Sequence, residues 1–105
     1  MFQNLNYLIK TIKINKKKNP KTSYTASLMK KGKNFCIKKF MEEARELAKS
    51  SKYSNKKNII HESADLLYHF LVLLEYKKVN FKLIVKELSK RSKTSGILEK
   101  QKRNK

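Results

Sequence analysis

The chain has 105 residues, which is the length of a single domain. Lysine and arginine number 27 against 8 acidic residues, and the formal net charge is +19. The lone cysteine, Cys36, excludes an intramolecular disulfide framework, and the longest apolar-rich run, residues 64–74, is too short to span a bilayer. We therefore expect one soluble domain over residues 1–105, with a basic tail at 89–105, in the cytoplasm and with no membrane partner. Because a domain of this size buries only a thin core, self-association is favoured.

The positive charge is weak evidence for nucleic-acid binding. Lysine outnumbers arginine 24 to 3, and the chain also contains nine asparagines and eight isoleucines. These abundant residues have codons rich in A and T, so a biased genome explains the composition. Arginine, the better residue for bidentate contacts to phosphate or guanine, is scarce. We interpret the charge as mostly compositional, with a part that serves an anionic substrate.

Hydrophobic periodicity predicts an all-α fold of four to five helices. Apolar residues recur at helical spacing in four segments: Leu5–Ile14, Asn34–Lys49, Ile59–Tyr76 and Val79–Leu88. Asn34 is the expected N-cap of the second segment. Residues 21–33 are predicted to form a loop with one helical turn that ends at Gly32, and residues 50–58 a polar connection.

Five of the eight acidic residues lie in two short clusters, and none precedes Glu42. Glu42, Glu43 and Glu46 span roughly a 100° arc of their helix, away from its apolar stripe. On its own, such an arc is typical of a solvated surface.

The second cluster favours a different interpretation. The helix over 59–76 is apolar around nearly its whole circumference, which predicts burial. Glu62, Asp65 and His69 fall on one stripe roughly 60° wide. Buried carboxylates are costly unless they are paired with lysines or bound to a metal. If the two acidic clusters face each other, four or five carboxylates share a pocket between two helices, and such an all-oxygen site favours Mg²⁺ or Mn²⁺.

The remaining polar residues of interest have simpler interpretations. His69 is either a hydrogen-bonded core histidine, the commoner case, or a group that supports a metal ligand. His61 is expected at the surface near the start of its helix, and Cys36 in packing. Tyr24 lies in a cluster of hydroxyls within the loop.

Several motifs resemble one enzyme family. Glu42-Glu43-x-x-Glu46 followed after fifteen residues by Glu62-x-x-Asp65 resembles the metal signature of the all-α nucleotide pyrophosphohydrolases. The flanking sequences are similar to those of the phosphoribosyl-ATP pyrophosphohydrolases: Ser23-Tyr24-Thr25-Ala26-Ser27-Leu28, Lys39, Ala64-Asp65-Leu66-Leu67-Tyr68-His69 and Ser95-Gly96-Ile97.

The resemblance implies a function and a role for each motif. It implies hydrolysis of phosphoribosyl-ATP to phosphoribosyl-AMP and pyrophosphate, the second step of histidine biosynthesis, by a homodimeric helical bundle. Four carboxylates are expected to hold Mg²⁺, or Mn²⁺ in its place: Glu43, Glu46, Glu62 and Asp65. Glu42 and Glu43 are the expected catalytic residues, with Glu42 either the base or a ligand of a second metal. The expected phosphate or ribose contacts are Ser23, Tyr24, Thr25 and Lys39.

Three alternatives stay open from the residues alone. The chain could be a small basic helical protein that binds nucleic acid, a hydrolase of another nucleoside triphosphate, or a regulatory helical module with a degenerate metal site. The nucleic-acid alternative predicts scattered acidic residues and arginine-rich helix faces. Because the sequence has neither, we expect no specific nucleic-acid partner.

Overall fold

The structure, a computed structural model, describes the backbone of residues 2–92 and the side chains of residues 5–92. The described part is all-helical and contains five helices: α1 (Phe2–Asn15), α2 (Tyr24–Lys31), α3 (Lys33–Tyr53), α4 (Lys56–Tyr76) and α5 (Phe81–Ser92). This confirms the predicted fold class. The predicted Ser95-Gly96-Ile97 motif and most of the basic tail lie outside the described residues. None of the helices within residues 2–92 has the length and apolar character that a membrane span requires.

The core lies where α1, α2 and the second half of α4 meet the start of α3. Its buried apolar side chains are Ile12, Leu28, Cys36, Leu71 and Val72. The Cys36 thiol donates a hydrogen bond to the Leu28 carbonyl oxygen at 3.4 Å, and burial raises the pKa of this thiol. Cys36 is therefore a packing residue, as predicted.

Helices α3 and α4 form an antiparallel hairpin, which is the most extensive packing between helices in the described chain. Only residues 54 and 55 separate them. The side chain of Asn55 caps α4 by accepting a hydrogen bond from the Asn58 amide at 3.1 Å. The predicted connection over 50–58 was therefore wrong in extent, because its polar residues extend α3 and begin α4.

Two further helix boundaries differ from the sequence prediction. Gly32, not Asn34, precedes α3, and its φ of 99° is a left-handed conformation that glycine adopts at little cost. Residues 24–31 form a full helix, α2, rather than one turn within a loop. Ser23 caps that helix by accepting a hydrogen bond from the Ala26 amide at 3.1 Å.

The prediction that the helix over 59–76 is buried all round was wrong for a single chain. Only His69, Leu71 and Val72 of α4 are buried. The first half of α4 leaves Ile60 and Leu67 exposed, and α3 leaves Met41 exposed. A groove with an apolar lining runs between the two helices there, and Phe40, Leu47, Leu66, Leu67 and Phe70 contribute to it.

Candidate active site

Helix α3 presents two carboxylates to one lysine. The Lys39 ammonium group lies 3.3 Å from the Glu42 carboxylate and 4.0 Å from the Glu43 carboxylate. The hydrogen bond to Glu42 is the largest influence on Lys39 and raises its pKa above the ordinary value. Lys39 therefore carries a positive charge at neutral pH and sits next to both predicted catalytic residues.

Helix α4 contributes a second group, close to its N-terminus. Potential ligand atoms of His61, Glu62 and Asp65 all lie within 4.8 Å of one another. His61 Nε2 lies 3.3 Å from an Asp65 carboxylate oxygen, one helical turn away. Within residues 5–92, this is the one group of three or more histidine, cysteine or acidic side chains close enough to hold a metal ion.

His69 lies on α4, and charged side chains of both α3 and α4 influence its pKa. It is 6% exposed, and burial is the main reason why its pKa is lowered from the ordinary value. The positive charge of Lys39 lowers the pKa further, whereas the negative charges of Asp65 and Glu42 raise it. Charged residues of both α3 and α4 therefore influence one buried imidazole.

The register of the hairpin indicates where the predicted metal ligands of α3, Glu43 and Glu46, lie relative to α4. The rings of Phe40 and Phe70 lie 6.0 Å apart, and Leu47 lines the same groove as Leu66. Because α3 and α4 run in opposite directions, Glu46 comes level with Asp65 along the hairpin. Glu43 and Glu46 are nevertheless outside the close group formed by His61, Glu62 and Asp65.

The hydroxyl cluster at the start of α2 has mixed roles. Ser23 is buried, and its hydroxyl donates to the Asn15 carbonyl oxygen at 2.8 Å while it caps α2. The hydroxyls of Thr25 and Tyr68 form a hydrogen bond of 2.6 Å. Tyr24 is 55% exposed, and its ring stacks on that of Tyr68 and meets His69 edge-on.

The structure therefore brings some of the predicted site residues together, whereas others make local hydrogen bonds within the fold. Glu42, Glu43 and Lys39 form one cluster, and Glu62 and Asp65 form another on α4. The hydroxyl of Ser23 is already occupied by backbone partners. Sequence analysis placed His61 only at the surface, although its spacing of four residues from Asp65 on a helix was a usable signal.

Comparisons with known proteins identify the family of the chain. A family model described as phosphoribosyl-ATP pyrophosphohydrolase matches residues 5–92. The phosphoribosyl-ATP pyrophosphatase of Geotalea daltonii is 46% identical over 92 residues, which is 87% of this chain and 87% of that protein. The phosphoribosyl-ATP pyrophosphatase of Rhodobacter capsulatus is 38% identical over 96 residues, which is 91% of this chain and 93% of that protein.

A third relative is longer. The histidine biosynthesis bifunctional protein HisIE of Wolinella succinogenes is 46% identical over 84 residues, which is 80% of this chain but 37% of that protein. The predicted enzyme class and its step in histidine biosynthesis are confirmed by these matches. The chain belongs to the phosphoribosyl-ATP pyrophosphohydrolase family.

Proposed function

We propose that this protein hydrolyses phosphoribosyl-ATP with a divalent metal ion, Mg²⁺ or Mn²⁺, between α3 and α4. The observation that supports this proposal is the close group of His61, Glu62 and Asp65 on α4, in one hairpin with the helix that carries Lys39, Glu42 and Glu43. A polyphosphate needs cations to approach such a cluster of carboxylates, and Lys39 alone does not neutralise it. The reaction separates pyrophosphate from phosphoribosyl-AMP by cleavage of the bond between the α- and β-phosphates.

The residues fit a hard divalent cation. Carboxylate oxygens are the ligands that Mg²⁺ prefers, and Glu62 and Asp65 already lie close together on α4. Glu43 and Glu46 are the proposed ligands from α3. When bound, the metal offsets charge on the phosphates and activates a water molecule. The neighbouring His61 adds a nitrogen donor, which suits Mn²⁺ better than Mg²⁺.

The other side chains position the substrate and handle the proton. Lys39 presents a charged ammonium group to a phosphate oxygen, and its contact with Glu42 holds it at the site. Glu42, which is partly exposed, is the proposed base that accepts a proton from the attacking water. Burial lowers the pKa of His69, so its imidazole packs beside the site in the neutral form and not as a cation.

The proposed assembly is a homodimer in the cytoplasm. The apolar groove between α3 and α4 and the exposed apolar side chains of the same two helices, Met41, Ile60 and Leu67, are together named the hairpin face. A monomer that exposes such a surface beside its active site loses hydrophobic stabilisation that a second copy would supply. The buried α4 predicted from the sequence is then completed by the partner.

The metal requirement can be tested directly. Protein treated with a chelator and dialysed should release little pyrophosphate from phosphoribosyl-ATP, and added Mg²⁺ or Mn²⁺ should restore the rate. Ca²⁺, a larger cation with looser geometry, is the matched control and should restore less. Full activity of the chelator-treated protein without added metal would refute the proposal.

A further inference from the structure

A polar cavity is lined in part by Tyr24 and Tyr68, whose rings also meet His69. Its volume is about 370 Å³, which is in the range of roughly 300–1,000 Å³ that is usual for ligand pockets. The side chains that matter here are Lys18, Thr22, Tyr24 and Thr25, with Tyr68 at the back. We name it the Lys18 cavity.

The cavity is joined to the active site by an aromatic wall. Tyr24 stacks on Tyr68 with ring centroids 6.1 Å apart, and Tyr68 meets His69 edge-on at 5.2 Å. His69 in turn lies within the electrostatic influence of Asp65, Glu42 and Lys39. A ligand held at the carboxylates therefore passes Tyr24 if it extends toward the start of α2, and it then enters the Lys18 cavity.

The two ends of the substrate carry groups that match the carboxylate site and the Lys18 cavity. Phosphoribosyl-ATP carries a triphosphate on one ribose and a single phosphate on a second ribose, with adenine between them. A site that held only the triphosphate and adenine would not distinguish this substrate from ATP. The Lys18 cavity offers an ammonium group for a phosphate and the hydroxyl of Tyr24 for a pentose, both suited to the part that ATP lacks.

We propose that the Lys18 cavity binds the phosphoribosyl group of the substrate and that Lys18 contacts its phosphate. Lys18 is thus a specificity-determining residue. This inference rests on the proposed function, because it assigns the second end of the same substrate. Tyr24, which is 55% exposed, is the wall along which the ligand passes between the two ends.

Product binding tests this inference separately from catalysis. Phosphoribosyl-AMP retains the phosphoribosyl group and AMP lacks it, so the ratio of their dissociation constants measures what that group contributes. Calorimetry would give this ratio for the wild type, for Lys18→Gln and for Lys17→Gln. The last is a matched control, because Lys17 is an exposed neighbour that does not line the cavity.

We expect Lys18→Gln to weaken phosphoribosyl-AMP binding about tenfold, as loss of one charge-assisted hydrogen bond does, with a smaller effect on AMP. Lys17→Gln should keep the wild-type ratio. If both variants bind phosphoribosyl-AMP equally well while the wild type hydrolyses phosphoribosyl-ATP, this inference is wrong and the proposed function stands. Failure of the wild type to hydrolyse phosphoribosyl-ATP would instead overturn the proposed function itself.

Discussion

The hydroxyl groups of Thr25 and Tyr68 form a hydrogen bond of 2.6 Å that ties α2 to α4. Thr25 is buried, and burial raises the pKa of Tyr68, so the phenol is protonated and can donate. This contact fixes the aromatic wall of Tyr24, Tyr68 and His69 between the Lys18 cavity and the carboxylates. The family motif around Ser23-Tyr24-Thr25 therefore serves the active site through the position of α2 as well as through any contact with substrate.

The hydrogen bond between Thr25 and Tyr68 predicts that substitutions at these two positions have non-additive effects on stability. Thr25→Val keeps the shape but leaves the Tyr68 hydroxyl without its partner, which should cost about 1–3 kcal/mol of unfolding free energy. Tyr68→Phe removes the other partner. In urea denaturation the double variant should lose less than the sum of the two single losses, because the second change removes the unpaired group. Additive losses would show that the two hydroxyls do not interact.

Asp65→Asn should separate metal binding from folding. The amide keeps the size of the side chain but removes one negative charge from the group formed with His61 and Glu62. We expect weaker Mn²⁺ or Mg²⁺ binding by calorimetry, and turnover at least about a hundredfold lower. The thermal midpoint should stay near that of the wild type, since the substitution relieves repulsion between anions.

Glu87→Gln is the matched control for this variant. Glu87 is an exposed carboxylate on α5 that pairs with Arg91 at 3.2 Å. Its neutralisation should change neither metal affinity nor rate. Wild-type turnover by Asp65→Asn would mean that the carboxylates of α4 do not hold the metal.

The sequence predicts those features of the fold and the site that depend on residues close to one another in the chain. Helical periodicity located four helices, and the clustering of the acidic residues led to the hypothesis that Glu42 and Asp65 belong to a site, because both signals lie within a turn or two of chain. The extents of α3 and α4 were missed because Lys, Ser and Asn are tolerated on an exposed helix, so only residues 54 and 55 of the polar stretch before Ile59 separate the two helices. The capping asparagine, Asn55, was the available signal.

Contacts between segments that are distant in the chain could not be predicted from the sequence. No local pattern shows that Lys13 and Lys16 of α1 meet Glu75, or that Thr25 meets Tyr68. The predicted set of four metal-binding carboxylates likewise rested only on which face of each helix these residues occupy. His61 entered the close group on α4, and Glu43 and Glu46 did not, because side-chain placement decides what facing helices bring together.

The pairing of Glu75 with two lysines predicts a pH dependence of stability. The Lys13 ammonium group lies 2.8 Å from the Glu75 carboxylate, and Lys16 also donates to it. Burial alone would raise the pKa of Glu75, but the two lysines outweigh it and lower the pKa below its ordinary value. The stabilisation is therefore present above the ordinary carboxyl pKa and is lost as the pH falls through the lowered one.

Glu75→Gln should therefore unfold more easily than the wild type near neutral pH. The difference in unfolding free energy should be largest near neutral pH and shrink as the pH falls through the lowered pKa of the Glu75 carboxyl. Urea denaturation across this range measures it, with Glu87→Gln as the control for an exposed acid. A difference that stays constant with pH would contradict the ionic origin.

A charge on the hairpin face should split the proposed dimer. Leu67 is 40% exposed on α4 and lines the groove between the two helices. Leu67→Asp would place a carboxylate in the proposed interface, whereas Ile14→Asp, on the exposed side of α1, leaves that interface intact. Light scattering at micromolar concentration should show dimers for the wild type and Ile14→Asp and monomers for Leu67→Asp. A monomeric wild type would refute the dimer.

The central claim is that the carboxylates around His69 serve hydrolysis of phosphoribosyl-ATP, and one assay tests it most directly. Pyrophosphate release would be measured with phosphoribosyl-ATP and with ATP, GTP, CTP and UTP, at physiological salt with Mg²⁺, for the wild type and for Asp65→Asn. We predict that kcat/KM for phosphoribosyl-ATP exceeds that for every other triphosphate, and that Asp65→Asn abolishes most of it. No pyrophosphate release from phosphoribosyl-ATP, together with tight, sequence-selective binding of duplex DNA at the same salt, would contradict the account.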